Sequence, residues 1–177
     1  MLNRLTLALA IVSTFSFSLF ASSTAKSSLP ASAQSAISAT LGADSQAYKV
    51  HSSKTEITAI NSAQDLSTHF TSRGIEVNSG NARWNLAFLG YGRGQILQAA
   101  QPAAPVANSN RVEYRRGALT EWYANGPAGL EQGFTITQRS ANSQSEPLTI
   151  ALALSGDLAA VADQDGQGLS LNDRSGN

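Results

Sequence analysis

Three glutamates, Glu113, Glu121 and Glu131, fall in one stretch with Arg111, Arg115, Arg116, Trp122 and Tyr123. Two carboxylates facing each other across a cleft are what glycoside hydrolysis needs, one as acid and the other as base or nucleophile. That chemistry is set by a separation in space, which sequence spacing does not supply. The plain alternative is three surface or turn carboxylates. Arg115-Arg116 near Trp122 and Tyr123 invites a second reading, because aromatic planes stack on sugars and arginine forks grip carboxylates or phosphates. Strand alternation offers a simpler account. It puts Val112, Tyr114 and Trp122 on an inner face, and balances Arg111 and Arg115 against Glu113 and Glu121 on an outer one. Cross-strand pairs of that kind contribute little.

The other chemistry-bearing residues are sparse. Asp163-Gln164-Asp165-Gly166-Gln167-Gly168 resembles the start of a calcium loop, but a third acidic ligand and a closing Glu are missing. Asp-Gly is equally an ordinary hairpin turn. His51 and His69 are the only histidines, and neither has a partner at metal-ligand spacing. No serine sits in Gly-x-Ser-x-Gly. Tyr91-Gly92-Arg93-Gly94 lacks the helix pattern and the Lys-Ser/Thr pair of a phosphate cradle, and reads as a strand-end turn. There is no cysteine, which removes disulfides, thiolate-bound metals and a thiol nucleophile together. The expectation is no catalytic residue, no metal ligand and no cofactor.

The elements that must position these residues read mostly as strands. The mature region carries Leu66, Thr68 and Phe70 in phase, then Ile75 and Val77, a turn at 78–81, and Ala82, Trp84, Leu86 and Phe88 along one face. The stretch 98–110 holds Pro102 and Pro105 and reads as a loop or edge crossing that divides the region into two halves. Beyond it, Val112 and Tyr114 alternate with charge, and Gly117 turns the chain. Leu119 to Ala124 is a strand closed by Asn125-Gly126-Pro127, and Leu130, Phe134 and Ile136 are in phase. Leu148 to Leu154 is the most apolar strand, and a last hairpin flanks the loop at 163–168. Short strands closed by Gly, Asn or Pro predict an all-β domain over 47–177, a sandwich or open barrel. Its core should hold Trp84, Phe88, Phe134, Ile150 and Leu152. Before it, 26–46 reads as a flexible lead-in with a short helix over 33–41, where Ile37 and Leu41 are four apart and Gly42 caps the end.

The first 25 residues differ from all this. Arg4 is followed by an uncharged run from Leu5 to Phe20, then small residues through Ala25. Charge, apolar run and small residues at the cleavage positions describe a secretory signal peptide. The run is interrupted by Thr and Ser and is short for a membrane anchor. The expectation is cleavage near Ala25, export, and no membrane span afterwards. Of 177 residues 14% are charged, with 12 acidic against 12 basic, so no nucleic-acid partner is implied.

The run starting at Asn110, NRVEYRRGALTEWYANGPAGLEQGFT, resembles the N-terminal region of large exported bacterial proteins that carry FG-GAP repeats, the integrin-like β-propeller repeats. The apolar strand at 148–154 and Ser155-Gly156-Asp157-Leu158 fit the same region, as do Ala82-Arg83-Trp84, Tyr91-Gly92-Arg93-Gly94 and the Pro-Ala stretch before Asn110. The similarity extends from Ile37 to Leu171. It implies a leader domain, before a propeller, of a cell-surface or secreted protein, and brings no known activity with it. The signal peptide, the strand pattern and the lack of a catalytic set make a non-enzymatic structural or interaction domain the leading expectation, with other surface proteins or glycans as its partners. The repeats themselves are absent. Asp173 to Asn177 is turn chemistry, so the chain is expected to be a fragment that continues into further strands. The rival expectations are a carbohydrate-binding module using Trp84, Trp122 or Tyr123, and a secreted hydrolase using the three glutamates.

Overall fold

The computed structural model describes residues 5–9, 29–94, 96–138, 146–164, 166 and 168–173. Most of the expected leader lies outside these residues, as do Asp165 and Gln167 of the Asp-Gly loop and the end of the chain from residue 174.

Two antiparallel sheets pack face to face. The first contains β1 (Leu5–Leu9), β8 (Pro105–Asn108), β9 (Arg111–Arg116), β10 (Leu119–Gly126) and β11 (Gly129–Ile136), ordered β1-β11-β10-β9-β8. The second contains β2 (Val50–Ser52), β3 (Ile57–Asn61), β4 (Leu66–Thr71), β5 (Gly74–Ser79), β6 (Ala82–Arg93) and β12 (Leu148–Gly156), ordered β12-β6-β5-β4-β3-β2. A short β7 (Ile96–Ala99) pairs with the end of β6. The hairpin of β13 (Leu158–Ala162) and β14 (Leu169–Asp173) stands as a sheet of its own. The sheets do not close on each other, so the architecture is the expected sandwich-like all-β fold. The stretch 98–110 is the crossing between sheets, and β8, which begins at Pro105, is an edge strand.

The period-two readings translate directly into packing. β4, β5 and β6 alternate between buried and partly exposed residues, placing Phe70, Ile75, Val77, Trp84, Leu86 and Phe88 inside. They meet Val112, Tyr114, Tyr123 and Phe134 from the other sheet. Aromatic rings join the sheets, with Phe70–Tyr123 centroids 5.5 Å apart and Phe88–Phe134 centroids 5.3 Å apart. Such contacts add to the burial of apolar area. Ile150 and Leu152 are a correction. They pack against the core but stay only partly buried, because β12 lies at the sheet edge.

The helix differs from expectation more. Helix α1 runs Ala31–Asp44, straight through Gly42, and ends at Ser45. Ile37 and Leu41 are exposed, while Ser35, Ser38 and Gly42 form the buried face. The helix lies so close to β10 that a Cβ at residue 42 would collide with the carbonyl oxygen of Asn125. Gly42 is therefore a contact glycine, not a cap. Ser38 Oγ accepts from Ala128 N at 3.0 Å, which gives this small polar face its hydrogen bond.

Candidate functional site

The register of the β9–β10 hairpin decides where each chemistry-bearing side chain goes. Arg116 pairs with Leu119, Tyr114 with Glu121, Glu113 with Trp122 and Val112 with Tyr123. Opposed residues share a face. Tyr114, Arg116, Glu121 and Tyr123 therefore point into the sandwich, and Glu113, Arg115 and Trp122 lie on its outer side. This inverts the expected phase of β10: Glu121 is inside and fully buried, and Trp122 is outside. Trp122 is nevertheless only 7% exposed. The Arg111 guanidinium lies 4.1 Å from its ring, its indole N–H donates to Thr135 Oγ1, and its ring lies against Gly133, where a Cβ would collide with it. With both faces of β10 covered, alternation along it carries little information.

Inside, Glu121 is the hub. Its Oε2 accepts from Arg116 Nη2 at 3.1 Å, and its Oε1 accepts from Tyr123 Oη at 2.8 Å and from Gln132 Nε2 at 3.1 Å. Gln132 Nε2 also donates to Tyr123 Oη at 2.9 Å. Arg116 donates further to the Gln101 carbonyl, and lies 5.2 Å from the Tyr114 ring centre and 5.6 Å from that of Phe88. A charged pair so deeply buried requires this degree of mutual satisfaction. Tyr114 and Tyr123 are both pushed well above the ordinary tyrosine range, first by burial and then by the charge of Glu121, so both stay neutral hydroxyls.

On the outer face Glu113 sits between Arg111 Nε at 2.9 Å and Arg115 Nη2 at 3.1 Å. Burial pushes its carboxyl up, but the hydrogen bonds and charges of the two arginines together hold it below 4.5. Glu131 is raised above that value by burial, with Arg111 pulling the other way. The backbone of the first sheet thus separates Glu121 from Glu113 and Glu131. The three carboxylates do not share a cleft. Arg115 and Arg116 are likewise split between the two faces, so the pair forms no common ligand face.

The remaining expectations fall as follows. Trp84 and Tyr123 are core residues, 6% and 1% exposed. Their ring faces, like that of Trp122, are covered by protein. His51 lies exposed on β2, and His69 Nδ1 is 3.8 Å from Glu76 Oε2 at the surface. In the Asp-Gly loop, Asp163 N–H donates to Gly168 O and the Asp163 carboxylate accepts from Ser170 Oγ at 3.0 Å. Among the described residues no group of three His, Cys, Asp or Glu is placed to hold a metal. Arg93 closes the end of β6, donating to Glu146 O at 2.6 Å.

Two features were not read from the sequence. One is a clasp of buried asparagines. Asn61 Nδ2 donates to Asn125 Oδ1 at 2.9 Å and to Gly126 O at 2.8 Å, and Asn125 Nδ2 donates to Ile60 O at 2.9 Å. Asn110 Nδ2 donates to Ala39 O at 2.9 Å and to Asn125 O at 2.7 Å. Helix α1 and both sheets are joined through these three side chains. The other is a groove of about 380 Å³ lined by Phe88, Tyr91, Gln98, Gln101, Arg116 and Ala118. No protein family, curated protein or solved structure matches the chain. Among the described residues no helix is long and apolar enough to cross a membrane.

Proposed function

We propose that the chain is a non-enzymatic, exported structural or interaction domain, the leader region of a larger cell-surface or secreted protein of the FG-GAP repeat kind. The observation that supports this is the fate of its charged cluster. Glu121 and Arg116 are spent on each other inside the sandwich, and Glu113 is held between two arginines on the outer face. What remains outward is contact surface: the exposed Ile37 and Leu41 of α1, and the strand edges. The test has two arms. N-terminal sequencing of exported protein should find a start near Lys26, and the reading frame past codon 177 should encode further strands and FG-GAP repeats. An intact Met1 in the membrane fraction would overturn cleavage and point to an uncleaved anchor. Hydrolysis of a glycoside panel that disappears in Glu113→Gln or Glu131→Gln would overturn the non-enzymatic half.

The alternative is a glycan-binding module. Its support is the groove beside Tyr91, where this partly buried tyrosine and Gln98 and Gln101 line one surface, an aromatic ring with polar amides as sugar recognition requires. Glycan-array binding lost in Tyr91→Ala, with the fold intact, would favour it.

A further inference from the structure

The edges of the two sheets are treated differently. β2 has three residues. β8 has four and starts with Pro105. The pairing of β12 with β6 shifts in register between Ala151 and Leu152, where β6 carries an extra residue, Leu89. Shortness, proline and bulges are the usual devices that stop an edge from pairing with foreign chains. β11 carries none of them. It is eight residues long, has no proline, and keeps an unbroken register with β10 from Gly129 to Ile136. Instead it is covered by another strand. β1 lies antiparallel on it, with Leu5 opposite Ile136, Leu7 opposite Phe134 and Leu9 opposite Gln132.

Backbone alternation identifies the groups at stake. Thr137 N–H donates to Ala118 O, on the β10 side. Amides point to alternate sides along a strand. The N–H and C=O groups of Gln132, Phe134 and Ile136 therefore face away from β10, towards β1. These are the residues opposite Leu9, Leu7 and Leu5. Yet β1 belongs to the segment that cleavage near Ala25 would remove.

We propose that β11 is a strand-acceptor site: once the leader is cut away, the edge takes an extended segment of another polypeptide in which leucines alternate with small residues, as in Leu5-Thr6-Leu7-Ala8-Leu9. The occupant's chemistry follows from the strand seated there, which is short, uncharged and antiparallel. Main-chain hydrogen bonds supply affinity in this mode, and alternate side chains supply selectivity. The inference rests on the export reading only for the moment when the edge opens. N-terminal sequencing tests that moment, and the following experiment tests the edge itself.

The full chain is made with a protease site inserted between residues 10 and 28, folded, and then cut. A fluorescent peptide covering Leu2 to Ala10 is added to cut and uncut protein. In the uncut chain the tethered β1 competes at millimolar effective concentration. Uptake by the cut protein should therefore exceed uptake by the uncut protein by at least about tenfold. A peptide carrying Leu7→Pro removes a ladder N–H opposite Phe134 and should bind at least about tenfold more weakly. Equal uptake by both proteins, or none by a cut protein that keeps its β-sheet circular dichroism, overturns the proposal. So does a cut protein that dimerises and excludes the peptide, since the occupant would then be a second copy. A separate check needs no cutting: in the full chain the amides of Gln132, Phe134 and Ile136 should be protected from hydrogen exchange, and free exchange there would refute the pairing.

Discussion

Replacing Arg116 with Met removes the counter-charge of Glu121 while keeping most of the side-chain volume. Glu121 is fully buried and the Arg116 side chain is 6% exposed, so water does not replace the lost partner. The carboxylate keeps Tyr123 and Gln132 as donors, two neutral hydrogen bonds in place of the ionic one. Breaking a buried pair from one side costs about 3–5 kcal/mol, most of it the stranded charge. With a urea slope of about 2 kcal/mol/M, the midpoint should fall by about 1.5–2.5 M. Glu121→Gln should be comparably costly, since it strands the guanidinium in turn. The double variant Arg116→Met/Glu121→Gln should lose less than either single change, because the Gln oxygen still accepts from Tyr123 and no charge remains. The assay is urea unfolding of all four proteins followed by tryptophan fluorescence and circular dichroism. Additive losses in the double variant, or a loss under about 1 kcal/mol in Arg116→Met, would show that the pair is solvated and the reasoning wrong.

Three further outcomes are expected. Glu113 is held below its ordinary value, so its contribution is present above pH 4.5 and lost as the pH falls through its folded value; Glu113→Gln should be less stable than the parent at pH 7, with the gap closing in acid. Glu131 is raised, so its charge disfavours the fold above that value; Glu131→Gln should be the more stable protein at pH 7, and the gain should vanish below pH 4.5. Gly133→Ala places a methyl group against the Trp122 ring and should cost about 1–3 kcal/mol by unfolding midpoint, with a change in the Trp122 emission.

The parts of the fold legible in the sequence are those where one face meets the core and the other meets water. Trp84, Leu86 and Phe88 announce their face because the polar Arg83 and Asn85 do not share it, and the hairpins around Gly117 and Gly126 follow from turn residues. Ile150 and Leu152 look like the deepest core because their strand is apolar throughout, but no sequence pattern says that β12 stands at an edge. Ile37 and Leu41 suggest an apolar helix face, whereas close approach to β10 selects the small residues Ser35, Ser38 and Gly42. The asparagine clasp has no period at all. Asn61, Asn110 and Asn125 lie in separate strands and turns, and only folding shows that they meet.

The inverted phase of β10 points to a role for the buried ion pair. Between Glu121 and Gly126 every residue is buried on one face or the other, so alternation of burial does not by itself mark the phase of this strand. A slip of one residue would carry Trp122 inward and Glu121 outward, and would also take Leu119, Tyr123 and Asn125 out of their core contacts. Arg116 adds an electrostatic constraint to these contacts. It lies on the inner face of β9, and only the observed register brings Glu121 within 3.1 Å of it. In the alternative register a guanidinium would be buried without a counter-charge, which is strongly unfavourable. The pair is therefore expected to contribute to uniqueness as well as to stability. The expected consequence is specific: Arg116→Met/Glu121→Gln, even where its unfolding midpoint is close to the parent's, should show two sets of amide resonances for residues 119–126, exchanging slowly. A single set, with the cross-strand contact between Tyr114 and residue 121 preserved, would mean that the Gly117 turn and the core contacts of Tyr123 and Asn125 fix the register without help from the charges.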